Sequence, residues 1–285
     1  MDKRFLCAVA ILVLGLVRPA AADPPPLAEQ YYARAIQTMR DLPQPNFATY
    51  DVRLQITGSD FILARKPNGK AEIRLNLSSR HGTSDVVFPA AYRRIDDLTA
   101  VRTPEGSWGT IRSPLFNPTW NGVADWIRYG FNGRPDSAPA TPSPTPAADN
   151  LAIIGAVRAM RVSFYDVSDA GTASCANGDP AHRVHLVAKS DPLDHPLTDA
   201  VIDERTNRLC FVRFQMRQSV VAVGYNTTIE LNIADVNGES IVRSGTIELT
   251  LRAMGFGMKH VTMRFAYTTI EFPETPPAEI FPTAR

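Results

Sequence analysis

The chain carries few residues whose types and spacing could support catalysis or metal binding. His182 and His185 are three positions apart on a predicted strand, so they point to opposite faces and cannot share a metal ion. The loop Asp191-Pro-Leu-Asp194-His195-Pro crowds two carboxylates and an imidazole, but its prolines favour a solvated turn over a cation site. The chain has no G-x-S-x-G, H-E-x-x-H, S-x-x-K or phosphate-binding glycine motif. We therefore predict no catalytic residue, no metal and no cofactor, with a secreted hydrolase built on this loop as an alternative.

Two of the three cysteines, Cys175 and Cys210, lie in the body of the chain. An even pair in an oxidising compartment is most simply a disulfide, which would stabilise the fold by roughly 4 kcal/mol in the chain-entropy model. A redox-active or metal-binding pair is the alternative, although the spacing matches no C-x-x-C motif.

The N-terminus has the three parts of a secretory signal peptide. A basic start is followed by an apolar run from Phe5 to Val17, and the small residues Ala20 and Ala22 precede a cleavage site. The run is shorter than the roughly 20 residues needed to span a bilayer, which makes an uncleaved anchor the weaker alternative. We predict that residues 1–22 are removed after Ala22 and that the protein is periplasmic or secreted.

Charge narrows the range of partners. Cleavage would remove three of the 30 basic residues and one of the 29 acidic ones, leaving a net charge of −1. Nucleic acids and anionic membranes both call for a basic excess, and no later stretch is long and apolar enough for a membrane helix. We predict neither nucleic-acid binding nor stable membrane insertion.

Alternation of apolar and polar residues predicts a largely β protein. The pattern is clean in five segments, 50–57, 71–77, 229–233, 246–252 and 261–268, and partly two-sided in four more, 61–65, 183–188, 209–216 and 220–225. Short turn signals between them indicate antiparallel neighbours. Such a sheet has one polar face and one apolar face that needs a cover.

Two segments have the 3.6-residue periodicity of covering helices. Residues 27–42 place Leu27, Tyr31, Ala35 and Met39 on one side of a helix, with Tyr32 and Ile36 beside them. Residues 119–131 set a second apolar stripe, with Asp125 and Arg128 among the residues turned away; the stripe consists of Trp120, Val123, Trp126, Ile127 and, at its end, Phe131. Both helices are predicted to lie over the apolar face of the sheet.

The segment 134–148 is rich in proline and has almost no apolar residue larger than alanine. It cannot bury enough surface to fold, so we predict a disordered, exposed insertion. Strand patterns on both sides of it suggest a single domain over residues 23–285.

The order of these elements resembles the periplasmic lipoprotein-carrier superfamily, the LolA/LolB-like outer-membrane lipoprotein-sorting proteins, and especially its larger members. The resemblance is carried by a helix before NFATYDVRLQITG, by HRVHLVAKSD followed by DAVIDERTNRLCFVRFQM with its D-x-x-T turn, and by the closing RFAYTTIEFPETPPAEIF. It implies a curved antiparallel sheet forming an incomplete barrel, closed by an N-terminal helix and a second amphipathic lid helix.

The resemblance also implies a function. The chain would be a non-enzymatic carrier or sensor of a hydrophobic ligand, either a lipid or the acyl chain of a lipidated protein, held between sheet and lid. The implied wall and lid residues are Val52, Leu54, Ile56, Ile73, Leu75, Trp120, Trp126, Ile127, Ile229, Leu231, Leu249 and Phe265. The alternative is an envelope protein–protein interaction module whose core is filled and which takes no ligand.

Overall fold

A computed structural model describes residues 27–76, 83–129, 160–220, 223–253, 257–275 and 277–281. The predicted signal peptide and the proline-rich insertion 134–148 lie outside these residues. Among the helices described, none has both the length and the apolar character required to cross a membrane.

The described chain forms two α-helices and thirteen strands. The helices are α1 (Leu27–Arg40) and α2 (Trp120–Tyr129). The strands are β1 (Phe47–Thr57), β2 (Asp60–Arg65), β3 (Ala71–Asn76), β4 (Thr83–Arg93), β5 (Leu98–Arg102), β6 (Trp108–Ile111), β7 (Tyr165–Ser174), β8 (Pro180–Ala188), β9 (Leu197–Asp203), β10 (Leu209–Val220), β11 (Val223–Val236), β12 (Glu239–Ala253) and β13 (Gly257–Glu271). Short 3-10 turns lie at Arg94–Asp96, Pro114–Phe116 and Val162–Phe164.

Eleven of the strands build one sheet in the order β6-β5-β4-β1-β13-β12-β11-β10-β9-β8-β7, and β2 pairs with β3 in a separate hairpin. Every neighbouring pair is antiparallel. The edge strands β6 and β7 do not pair with each other, so the sheet stays open. The predicted fold class is therefore confirmed: mostly β, with an antiparallel sheet that does not close into a barrel and two helices.

Alternation gives the sheet two different faces. In β1, Val52, Leu54 and Ile56 are fully buried while Arg53 and Gln55 are exposed. We call the first side, which packs against the helices, the inner face, and the opposite side the outer face. The main hydrophobic core lies on the inner face.

Charged side chains pair across neighbouring strands on the outer face. Arg213 on β10 bonds Glu230 on β11 at 2.6 Å and Asp199 on β9 at 3.4 Å. Farther along the sheet, Arg53 bonds Asp85 at 2.6 Å. Ion pairs that are largely exposed contribute little to stability, so their main effect is to keep this face hydrated and in register.

The C-terminal segment covers the outer face at the β4–β6 end. Phe281 packs against Ala91 and Ala100, and the guanidinium of Arg93 lies 4.7 Å from the centroid of its ring. The tail therefore shields a small apolar patch that is separate from the main core.

The disulfide prediction is confirmed. Cys175, directly after β7, is bonded to Cys210 on β10 with Cα atoms 5.6 Å apart. The D-x-x-T turn lies close by, where the carboxylate of Asp203 accepts the backbone N–H groups of Arg205 and Thr206 at 2.9 and 2.7 Å. Burial alone would raise the pKa of Asp203, but these hydrogen bonds and the charge of Arg205 leave it below its usual value. The disulfide and the turn together fix this end of the sheet.

Both helices agree only in part with the predicted stripes. In α1, Tyr32, Ala35, Ile36 and Met39 are buried as predicted, but Leu27 is 67% exposed and Tyr31 only half-buried, with Ala28 facing the core instead. In α2 Arg128 is exposed as predicted, but all residues from Trp120 to Ile127 are buried, so placing Asp125 on a solvent face was wrong. A helix covered on all sides cannot be oriented from its apolar stripe alone.

The predicted strand at 220–225 was also wrong. Val220 ends β10 and Val223 begins β11, and the two residues pair directly with each other. Residues 220–223 are Val-Val-Ala-Val, a run without a turn signal, so the end of one strand and the start of the next were not predicted. The predicted segment 61–65 and residues 71–76 of the predicted segment 71–77 lie in the separate β2–β3 hairpin, apart from the main sheet.

Candidate ligand-binding face

The structure brings nearly all predicted wall and lid residues together in the main core. The fully buried members are Val52, Leu54, Ile56, Trp120, Trp126, Ile127, Ile229, Leu231 and Phe265, and the partly buried ones are Ile73 and Leu249. The side chain of Leu75 lies outside the described residues. Whether this face takes a ligand stays a prediction.

The predicted wall forms a continuous cross-strand row. Leu54 pairs with Phe265, Phe265 with Gly245, and Gly245 with Leu231, so the row spans β1, β13, β12 and β11. At Gly245 a Cβ atom would lie 2.4 Å from Cζ of Phe265. The aromatic ring thus occupies the space that the glycine leaves open and fills the centre of the wall.

The segment that leads from β6 into the first turn of α2, residues 114–121, lies over four neighbouring strands of this face. It is attached to each of them by one hydrogen-bonded anchor. The hydroxyl of Tyr50 on β1 donates to the Phe116 carbonyl at 2.6 Å, and that of Tyr267 on β13 donates to the Leu115 carbonyl at 3.0 Å. The N–H of Val242 on β12 donates to the carbonyl of Pro118 at 2.8 Å.

The fourth anchor joins the first turn of α2 to β4. Nδ2 of Asn121 donates to the hydroxyl of Tyr92 at 2.6 Å and to a carboxylate oxygen of Asp97 at 2.8 Å. The Tyr92 hydroxyl donates in turn to the same oxygen at 3.2 Å. We call residues 114–121 the crossing segment. Its four anchors lie on strands that are consecutive in the sheet, in the order β4-β1-β13-β12.

Local contacts fix the angle at which α2 leaves the crossing segment. Oδ1 of Asn117 accepts the backbone N–H and the hydroxyl of Thr119, which ties the turn before the helix. A Cβ atom at Gly122 would lie 2.1 Å from the Asn117 carbonyl oxygen. Only glycine permits this close approach of helix and turn.

The anchoring tyrosines are held in their neutral, donating form. Burial raises the pKa of Tyr50 and of Tyr267, and for Tyr267 the neighbouring Tyr50 adds to the effect. The pKa of Tyr92 is raised by burial and by the nearby charge of Asp97. Ionising any of these groups would place an anion in the core, so the anchors persist at neutral pH.

Helix α1 covers the other end of the inner face, against β7, β9 and β10. Its Tyr32 hydroxyl donates to the Met160 carbonyl at 2.6 Å, and the Tyr31 ring lies 5.2 Å from that of His182. The two covers are thus separate: α1 over one end of the sheet and the crossing segment with α2 over the other.

The catalytic alternative gains no geometric support from the described residues. His182 faces α1, whereas His185 points to the outer face and lies 3.6 Å from Asp199. In the 191–196 loop the N–H groups of Asp194 and His195 both donate to the carbonyl of Asp191, which forms a turn. No group of three or more His, Cys, Asp or Glu side chains in the described chain is placed to hold a metal.

Two clefts made of described residues lie away from the predicted wall. One of about 360 Å³ adjoins the disulfide and is lined by Asp203, Arg205 and Arg208 among others. The other, of about 480 Å³, lies at the β8–β9 loop. Neither is lined by a predicted wall or lid residue.

Sequence reasoning identified apolar residues that share the core but did not identify the anchors. Tyr50 and Tyr267 look like ordinary inward residues of alternating strands, and their partners are 66 and 152 positions away in the chain. The only local signal was a buried-strand tyrosine, whose hydroxyl needs a partner when it is buried.

No family model and no curated protein matches this chain. Five chains of solved structures are similar to it, and three of them are described next. A domain described as an outer membrane lipoprotein-sorting protein domain from Vibrio parahaemolyticus has 9% identity and a TM-score of 0.35, over 88% of this chain and 95% of that one. A DUF1329 family protein from Desulfovibrio piger has 12% identity and a TM-score of 0.33, over 90% of this chain and 97% of that one. A LolA superfamily protein from Nitrosomonas europaea has 10% identity and a TM-score of 0.26, over 88% of this chain and 96% of that one. Lipoprotein-sorting and LolA-superfamily proteins, which the sequence resembles, are thus among the solved structures similar to this chain.

Proposed function

We propose that this protein is an exported, non-enzymatic carrier or sensor that binds a hydrophobic ligand, a lipid or the acyl chain of a lipidated protein, on its inner face. Cleavage after Ala22 would leave it periplasmic or secreted. The crossing segment with α2 acts as a lid over the wall formed by β1, β13, β12 and β11. The observation that carries the proposal is the attachment of this lid by one hydrogen-bonded anchor to each of four consecutive strands.

Such anchors suit a cover that opens. A hydrogen bond broken on opening is replaced by bonds to water, so its net contribution is only about 0.5–1.5 kcal/mol. The apolar wall beneath would then receive an acyl chain, whose burial is worth about 0.8 kcal/mol per methylene. A long chain can therefore offset the loss of all four anchors.

The second candidate is an envelope interaction module with a filled core. It is favoured by the burial of the wall itself, since Val52, Leu54, Ile229 and Leu231 have no exposed surface and Phe265 has 3%. In this arrangement the described wall is packed by the protein's own side chains. The carrier proposal requires the lid to move, and the interaction module does not.

Native mass spectrometry separates the two. The mature protein is expressed with its own signal peptide, purified from the periplasm without detergent, and compared with Trp126→Glu. A carrier retains a lipid-sized mass that falls in the variant and is lost on denaturation.

Two further variants make the result interpretable. Leu249→Gln changes a partly exposed wall residue and serves if Trp126→Glu fails to fold. Trp108→Glu is the matched control, because Trp108 packs under the C-terminal tail rather than in the main core. A bare chain in every sample after a lipid extract is added back would contradict the carrier and favour the interaction module.

A further inference from the structure

We propose a second binding site, at the end of the β8–β9 hairpin, that takes a small monocarboxylate bearing an apolar chain. The site is the cleft of about 480 Å³ at the β8–β9 loop, which we call the hairpin cleft. Its volume lies within the range of small-molecule sites. The proposal does not depend on the carrier function, because the cleft shares no residue with the predicted wall or lid.

The cleft exists because the two arms of the hairpin separate. The β8–β9 ladder ends at the pair His185 and Asp199, while β8 continues to Ala188 alongside β7. The returning arm pairs with β10 instead, where Gln215 donates its N–H to the Pro196 carbonyl at 2.8 Å. A gap therefore opens between two arms that are each held by a different neighbour.

One wall of the gap is fixed by aromatic packing. The ring of His195 is stacked on Phe164 with centroids 4.2 Å apart and meets the edge of Tyr165 at 5.9 Å. These contacts tie the returning arm to the start of β7. A pre-formed cleft avoids the entropic cost of ordering a loop around a ligand.

The cleft has an unusually exposed apolar lining. Val187 is 53% exposed and Leu193 is 54% exposed, which places both among the few large apolar side chains of the described chain that water reaches this well. Further apolar lining comes from Leu186, Ala188, Pro192, Pro196 and Leu197. An apolar chain laid here would cover surface that is otherwise left in water.

The polar lining favours an anion. It consists of Arg217, His185, His195, Thr198 and Gln215, with no carboxylate among the lining residues. Arg217 is exposed and forms no ion pair with any residue of the described ranges.

Nearby acidic groups set the size and kind of ligand. Asp199, the carboxylate beside the cleft, is already held by His185 and Arg213. Asp191 and Asp194 are exposed on the loop and would repel a broad anionic surface such as a membrane. A ligand with a single carboxylate would pair with Arg217 and lay its apolar chain on Val187 and Leu193. It would thus match both the polar and the apolar lining of the cleft.

Isothermal titration of the mature protein with sodium octanoate tests the site. Val187→Asp is compared with Val87→Asp, because Val87 lies on the same outer face and is 54% exposed. Arg217→Gln is compared with Arg264→Gln, another exposed outer-face arginine. We expect saturable one-to-one binding that each cleft variant weakens about tenfold or more, the factor equivalent to about 1.4 kcal/mol, while both controls bind as the wild type does.

Octanol and an inner-face variant identify the site. Octanol, which lacks the charge, should bind more weakly than octanoate and should not respond to Arg217→Gln. The proposal is overturned if no saturable binding occurs, if control and cleft variants lose affinity equally, or if Leu249→Gln abolishes binding while the cleft variants do not. The last result would place octanoate on the inner face and leave the carrier function standing, whereas loss of lipid retention alone would leave the hairpin cleft unaffected.

Discussion

Removing the two tyrosine anchors of the crossing segment should loosen the lid while leaving the sheet intact. In Tyr50→Phe and Tyr267→Phe the rings remain, but the carbonyls of Phe116 and Leu115 lose their donors. A buried acceptor left without a partner costs about 1–3 kcal/mol. The two rings lie 5.6 Å apart and their acceptors belong to consecutive residues, so the losses are coupled. We expect about 2–5 kcal/mol for the double variant.

Urea unfolding gives the total loss, and hydrogen exchange read by mass spectrometry locates it. Exchange should quicken in residues 114–129 well before it changes in β10–β12, since only the lid loses its attachment. Tyr31→Phe is the matched control, because its half-buried ring contacts His182 and its hydroxyl has no partner among the described residues. An unchanged free energy of unfolding, or protection lost evenly over the whole sheet, would refute the idea of a separately held lid.

Three further predictions follow from buried groups. Burial raises the pKa of five of the eight tyrosines, Tyr32, Tyr50, Tyr92, Tyr165 and Tyr267. Tyrosines of the unfolded chain ionise near pH 10, so the free energy of unfolding should hold below about pH 10 and fall as the pH rises above it. The measurement is a phenolate absorbance titration of the native protein. Ionisation of all eight tyrosines together near pH 10 would contradict the prediction. Replacing both Cys175 and Cys210 by serine should lower the free energy of unfolding by roughly 4 kcal/mol, and a loss under about 1 kcal/mol in urea would show that the closed loop adds little. Gly122→Ala should lower the free energy of unfolding by about 1–3 kcal/mol, because the new methyl group overlaps the Asn117 carbonyl. Gly109→Ala is the control, since its closest contact would be 3.2 Å, and it should lower stability less in the same thermal melts.

The sequence predicted the layers of the fold because each layer has a local signal. Alternation marked β1 and β13 as half-buried strands, and the 3.6-residue period marked α1 and α2. The short strands β5 and β6, of five and four residues, are too short for alternation to be recognised. The boundary between β10 and β11 was missed because residues 220–223 include none of the glycine, asparagine or proline that usually marks a turn.

The burial of the predicted wall residues was predictable, and the anchors of the crossing segment were not. Wall residues such as Leu54 and Leu231 are identified by their own strand pattern, and the resemblance placed them under a lid. The Tyr50 and Asn121 anchors join residues 66 and 29 positions apart, and no periodicity encodes such a pair. The hairpin cleft was likewise hidden, because it depends on where a ladder ends and not on any motif; from sequence the 191–196 loop looked like a simple turn.

The energetics of the proposed lid set the length of acyl chain that a carrier of this kind would hold. Four hydrogen-bonded anchors at about 1 kcal/mol each hold the crossing segment with roughly 4 kcal/mol in addition to its apolar packing. An acyl chain of about 16 carbons gains up to about 13 kcal/mol on burial, so it can displace the anchors and also replace part of the contact that Trp120 and Trp126 make with the wall. A ligand much shorter than this would not offset both losses. A lid held in this way should therefore admit long chains and exclude short ones, which is why octanoate is expected at the hairpin cleft and a full-length acyl chain on the inner face.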